Sequence, residues 1–151
     1  ISIPYRPAGS MRQKFIDRDA QQKTLVTDWK SKKCLVVDDN RDVLIYLSRL
    51  LQETGIQVLL AKSGFEALDM LKAEPDIDIV LLDMQMPEIN GIETAREMRK
   101  LKKGLPIIAQ TAFVFEDDKD IILEAGCDAC LIKPIRKELL FSTMSGFIHG
   151  N

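Results

Sequence analysis

With 151 residues the chain has room for one domain of ordinary size and an appendage. A hydrophobic fraction of 46% is that of a globular protein, and 23 acidic against 21 basic residues leave a net charge of −2, which argues against nucleic acid or an anionic membrane as the primary partner. The apolar runs are about as long as strands, which excludes a transmembrane helix.

Residues 1–32 stand apart. Ile1-Ser2-Ile3-Pro4-Tyr5 reads as a strand end, and Arg6-Pro7-Ala8-Gly9-Ser10 breaks any regular element. From there to Lys32 the apolar Phe15, Ile16, Leu25, Val26 and Trp29 are too sparse for a core. The expectation is a linker, helical in part, with a disordered leader as the alternative. No signal peptide is visible, and a start at Ile1 reads as a fragment of a longer protein.

From Lys33 onward strand-like and helix-like patterns alternate. Cys34-Leu35-Val36-Val37 is a short buried run ending in Asp38-Asp39, and Asn40 caps a helix with Val43, Leu44, Leu47, Leu50 and Leu51 on one side. Gly55 supplies a left-handed stop. Residues 56–61 form a second strand, and Ser63-Gly64-Phe65-Glu66 has the capping-box spacing before Ala67, Leu68 and Leu71. Pro75 marks the exit. A third strand, 77–82, leads into Asp83-Met84-Gln85-Met86-Pro87, and Gly91 opens a helix carrying Ile92, Ala95, Met98 and Leu101. Residues 105–109 are the fourth strand, with Thr111 just beyond it. A helix over 116–124 ends at Gly126, and the fifth strand, 128–132, delivers Lys133-Pro134. A last helix over 136–147 turns Leu139, Leu140, Met144 and Phe147 inward.

Five such units predict an α/β fold: a doubly wound, five-stranded parallel sheet of order 2-1-3-4-5, flavodoxin-like, covered by helices on both faces. Its ligand crevice lies outside the carboxyl ends of the strands. The predicted organisation is therefore a tail and linker over 1–32 and one domain over 33–151. Of the three cysteines, Cys34 and Cys130 fall in apolar strands and Cys127 just before one. With a single histidine, His149, a zinc site lacks ligands, so the thiols read as reduced residues of a cytoplasmic protein.

Asp38, Asp39, Asp83 and Lys133 all fall at strand ends. Crowded carboxylates repel one another, and a hard cation with oxygen ligands relieves the conflict, Mg²⁺ above all. A metal-bound carboxylate is a nucleophile for phosphoryl transfer. Asp83 is assigned attack, Asp38 and Asp39 the metal, and Lys133 and Thr111 the phosphoryl group, with small Ala112 leaving the entry open. Taken singly, Asp38 and Asp39 also read as a helix cap, Thr111 as another cap and Lys133 as a strand exit. Asp83, after four apolar residues, is harder to explain as surface.

These residues resemble the receiver domain of two-component response regulators. The match covers about 33–149 and rests on Val36-Val37-Asp38-Asp39-Asn40, Leu81-Leu82-Asp83-Met84-Gln85-Met86-Pro87, Gly91, Ala109-Gln110-Thr111-Ala112 and Ile132-Lys133-Pro134-Ile135. The resemblance implies that Asp83 accepts a phosphoryl group from a histidine of a kinase or phosphotransfer domain. It implies that Asp39, Asp83 and the Gln85 carbonyl bind Mg²⁺ directly, that Asp38 acts through water, and that the Lys133–Pro134 bond is cis. It also implies a partner or homodimer face on the fourth helix, fifth strand and last helix. Such a domain is a phosphoryl-accepting switch more than an enzyme.

One departure stands out: Cys130 occupies the place where receivers carry a switch Tyr or Phe. Output is then expected through the loop 111–116, where Phe113 and Phe115 supply bulk. Gln85 and Phe113 hold the positions that gate water, and a bulky Phe113 points to slow hydrolysis. Ile1-Ser2-Ile3-Pro4 resembles the last strand of a histidine kinase ATP-binding domain, which makes the C-terminal receiver of a hybrid sensor kinase the expectation, with no DNA-binding output domain after it. His149 lacks a helical motif and reads as inert. Three rivals are weaker. An aspartyl phosphohydrolase expects an acid where Gln85 stands, a flavin binder needs a phosphate loop where Asp38-Asp39-Asn40 stands, and a degenerate receiver would not keep all five site residues.

Overall fold

The computed structural model describes residues 28–86, 89–112 and 116–148. The strand end expected at Ile1-Ser2-Ile3-Pro4, most of the linker, Pro87, Phe113, Phe115 and His149 lie outside the described residues. Strand β1 (Lys33–Val37) is followed by α1 (Arg41–Gln52), β2 (Gln57–Ala61), α2 (Gly64–Ala73), β3 (Ile79–Asp83) and α3 (Gly91–Leu101). After these come β4 (Ile107–Thr111), α4 (Glu116–Glu124), β5 (Ala129–Ile132) and α5 (Lys137–Ile148). The five strands pair in parallel in the order β2-β1-β3-β4-β5, as the sequence predicts.

Alternation along the strands sorts the core into two halves. Leu35, Val37, Val80, Leu82, Ile107 and Ala109 pack with α2, α3 and α4, while Val36, Leu81, Ile108 and Leu131 pack with α1 and α5. Burial on both faces explains the continuous apolar runs of β3 and β4. At roughly 2 kcal/mol for each fully buried Leu or Ile, these two layers supply the main drive for folding.

Local signals set the boundaries. Asn40 Oδ1 accepts from the N–H groups of Asp42 (2.8 Å) and Val43 (3.3 Å), and Ser63 Oγ from that of Glu66 (3.1 Å). Glu66 reaches back one residue further than a capping box requires and accepts from the Lys62 N–H at 2.7 Å. Gly55 takes φ +81°, the left-handed stop that its position predicts. Arg99 pins the far edge of the sheet: its guanidinium donates to the carbonyls of Lys103, Leu105 and Gly126 and pairs with Asp128, which also accepts from the Ile107 N–H.

Three placements depart from the sequence reading. Thr111 is the last residue of β4, not a residue beyond it. In α5 the inward residues are Leu140, Phe141, Met144 and Ile148, whereas Leu139 and Phe147 are exposed. Leu101 of α3 is exposed as well. Trp29, sparse in sequence, is buried with its ring edge-on to Phe141, centroids 5.9 Å apart, and its backbone N–H donates to the Thr54 carbonyl at 2.8 Å.

Gly91 fixes how α3 leaves β3. A Cβ there would stand 2.5 Å from Met84 Cα and 2.6 Å from the Asp83 carbonyl oxygen, both backbone atoms that cannot turn aside. Gly91→Ala is therefore expected to lower stability in urea unfolding by about 2 kcal/mol or more. A loss within about 0.5 kcal/mol, the range of a neutral surface change, would show that the β3–α3 junction yields easily.

Candidate functional site

Three strand ends meet at one edge of the sheet. Asp83 closes β3, Asp38 follows β1 directly, and Lys133 follows β5 directly. The register pairs Val37 with Leu82 and Asp83 with Gln110, so Asp38 and Asp83 stand side by side on adjacent strands. By the same alternation both side chains, and that of Lys133, leave the sheet on the α1–α5 side. The Lys133 N–H donates to the Thr111 carbonyl at 2.7 Å, and the Lys133–Pro134 bond is cis, as the resemblance implies.

The Lys133 ammonium donates to Asp38 Oδ2 at 3.1 Å and to Asp83 Oδ1 at 3.3 Å. Asp38 and Asp83 are 0% and 2% exposed, so the pair is a buried one and its members depend on each other. Asp38 Oδ1 accepts from the Asn40 N–H at 2.8 Å, which ties the acid to the start of α1. Asp83 Oδ1 accepts from the Gln85 N–H at 3.1 Å. Asp39 is exposed, yet one of its carboxylate oxygens lies within 4.8 Å of those of Asp38 and Asp83. Thr111 is buried and, with Met84, Gln85, Ile92, Asp118, Ile121 and Ile122, lines an adjoining cleft of about 300 Å³. Ala112 is exposed beside it.

Burial pushes the Asp83 carboxyl up to about 6; the charge of Asp38 adds to this, while the Gln85 N–H and Lys133 pull the other way. For Lys133, burial works to lower the pKa, but the hydrogen bond to Asp38 and the charges of both acids prevail and raise it. One ammonium thus serves a cluster of three carboxylates. The set suits a hard divalent cation: the oxygens converge, one acid opens to solvent, and Lys133 offsets only part of the cost of ionising the central carboxyl.

The thiols take no part. Burial raises Cys34, Cys127 and Cys130 alike, Cys127 to about 12, and all three are free. Cys130 is half-buried in β5. One residue that the sequence left without a role belongs to this region. Gln110, in register with Asp83, is 1% exposed, and neither of its amide atoms has a hydrogen-bond partner among the described residues. A polar residue among Ile107, Ile108 and Ala109 was the available signal.

Residues 34–145 match the family model described as the response regulator receiver domain. The chain is 38% identical over 119 residues to the autoinducer 2 sensor kinase/phosphatase LuxQ of Vibrio parahaemolyticus, with 78% of this chain and 14% of that protein covered. It is 30% identical over 120 residues to the polar-differentiation response regulator DivK of Brucella ovis, with 78% and 97% covered. Among solved structures it superposes with a TM-score of 0.72 and 29% identity on a chain of the co-crystal structure of the Saccharomyces cerevisiae histidine phosphotransfer signaling protein Ypd1 and the receiver domain of its downstream response regulator Ssk1, with 77% and 88% covered.

The raised Asp83 pKa makes stability depend on pH. Without metal the folded state holds this proton more tightly than the unfolded chain, whose carboxyl titrates near ~4. The group therefore favours folding below that value, and the advantage is lost as the pH rises through about 6. Asp83→Asn is expected to raise metal-free stability near pH 7 by about 2 kcal/mol, and by much less around pH 4, in urea unfolding. A lower stability of the variant near pH 7 would mean that Lys133 already neutralises the site.

Proposed function

Because the chain belongs to the response regulator receiver domain family, we propose that Asp83 is the residue at which it accepts a phosphoryl group from a phosphohistidine. Accepting a phosphoryl group in two-component signalling is the known function of that family, and its members bind Mg²⁺ at an acidic pocket. The observation that carries the choice of Asp83 is its double setting. It is buried at the tip of β3 and held by the Lys133 ammonium, yet joined to Asp38 and Asp39 in one cluster of oxygens.

Asp39, Asp83 and the Gln85 backbone carbonyl would hold Mg²⁺, with Asp38 acting through water, and the ion would offset the charge of the carboxylates and of the phosphoryl oxygens. Oδ1 of Asp83 takes both the Gln85 N–H and Lys133, so Oδ2 is the attacking oxygen. It approaches phosphorus in line; the new P–O bond forms as the P–N bond breaks, and the imidazole nitrogen keeps the electron pair. Lys133 and Thr111 contact the phosphoryl oxygens, and exposed Ala112 leaves the approach open. The product is the domain's own modified state, which makes it a switch.

The donor is a histidine kinase or a histidine phosphotransfer domain, a reading supported by the likeness to a chain of the Ypd1–Ssk1 complex. The likeness to LuxQ supports placement within a hybrid sensor kinase, of whose length this chain would be a small part. Cytoplasmic placement follows from such a donor, and no helix among the described residues is long and apolar enough to cross a membrane. The exposed Ile121, Leu123, Ile132, Leu139 and Phe147 of α4, β5 and α5 favour that face for a partner or a second copy.

Incubation with acetyl phosphate and Mg²⁺, followed by intact-mass analysis, tests the assignment. A phosphate-sized gain in the natural chain and none in Asp83→Asn is expected. Phosphate release with no lasting adduct would favour a hydrolase, and an adduct on the variant would move the acceptor elsewhere.

A further inference from the structure

Lys133 is rooted at the end of β5, yet its ammonium reaches Asp83 on β3 and Asp38 after β1. In the order β2-β1-β3-β4-β5 that path crosses β4, since neighbouring strands stand about 4.8 Å apart. The β4 residue in register with Asp83 is Gln110, which pairs on its other side with Leu131. Ile108, two residues before it, packs with Leu81 and Leu131 on the α1–α5 side, so alternation sends Gln110 to the same side as Asp83 and Lys133. Gln110 therefore stands one strand from Asp83, in register with it, on the face from which Lys133 reaches that acid.

Gln110 is 1% exposed, and neither its Oε1 nor its Nε2 has a hydrogen-bond partner among the described residues. A buried amide with both ends unsatisfied is costly, and packing alone does not ask for one, because Ile108 fills the same face without a polar atom. Lys133, meanwhile, has three N–H donors, two of them engaged by Asp38 and Asp83.

We propose that Gln110 is a positioning residue of the phosphoryl-accepting site: its Oε1 accepts from the Lys133 ammonium and its Nε2 donates to the Asp83 side chain once that carboxylate is phosphorylated. Phosphorylation draws Lys133 from the carboxylates toward the new phosphoryl oxygens, and the amide then finds the partners it lacks at rest. Relief of the unpaired amide favours the phosphorylated state. The inference rests on Asp83 as the acceptor.

Beryllium fluoride with Mg²⁺, a probe of the phosphorylated state, separates the two. Melting temperatures are measured against probe concentration for the natural chain, Gln110→Leu and Gln110→Met, the last being the closest in length if the leucine variant does not fold. Without the probe the variants are expected to melt at or above the natural chain, since an unpaired amide is gone. The probe concentration for half-maximal stabilisation is expected to rise about tenfold, as for loss of one hydrogen bond to a charged group. A merely structural glutamine would leave that concentration unchanged. Equal values in all the chains overturn the inference and leave Asp83 as acceptor; a natural chain that the probe does not stabilise overturns both.

Discussion

One ammonium between two buried carboxylates organises this domain. Lys133 meets Asp38 at 3.1 Å and Asp83 at 3.3 Å, and the three residues come from the ends of three different strands. The attraction is strong because the acids are screened from water, and for the same reason neither acid is well served without it. A single positive charge cannot balance three carboxylates, so the edge of the sheet is left short of cation. That shortfall adds to the burial that raises Asp83, and it favours a divalent ion.

The rest of the structure keeps this conflict in place. Two apolar layers hold the strands in register, which keeps Asp38 and Asp83 adjacent. Asn40 and Gln85 bind the acids to the backbone that follows them, and Gly91 lets α3 start against the Asp83 carbonyl. At the opposite edge Arg99 ties the α3–β4 and α4–β5 connections together. Trp29 extends the α1–α5 layer beyond β1 by packing on Phe141, which anchors the residues just ahead of the sheet to the same helix that follows Lys133.

The fold was legible because apolar runs of strand length alternate with amphipathic helical patterns, the first two opened by Asn40 and Ser63. The chirality and neighbour rules of βα units narrow the strand order to a few, and the flavodoxin-like winding is one of them. What stayed hidden depended on partners distant in sequence. Helix α5 is apolar at Leu139, Leu140, Phe141, Met144, Phe147 and Ile148, more than one face holds, so periodicity could not choose the buried stripe. Trp29 looked isolated because its partner lies in the last helix. Gln110 looked like one polar residue in a motif, and its burial without partners among the described residues shows only once the strands are paired.

Direct binding of Mg²⁺ tests the charge imbalance from which everything else follows. Calorimetric titration of the natural chain and of Asp39→Asn, the exposed acid whose loss disturbs the core least, isolates the cluster from the fold. The account predicts saturable one-to-one binding in the natural chain and a large loss of affinity in the variant. Equal heats in both, or none in either, would contradict it.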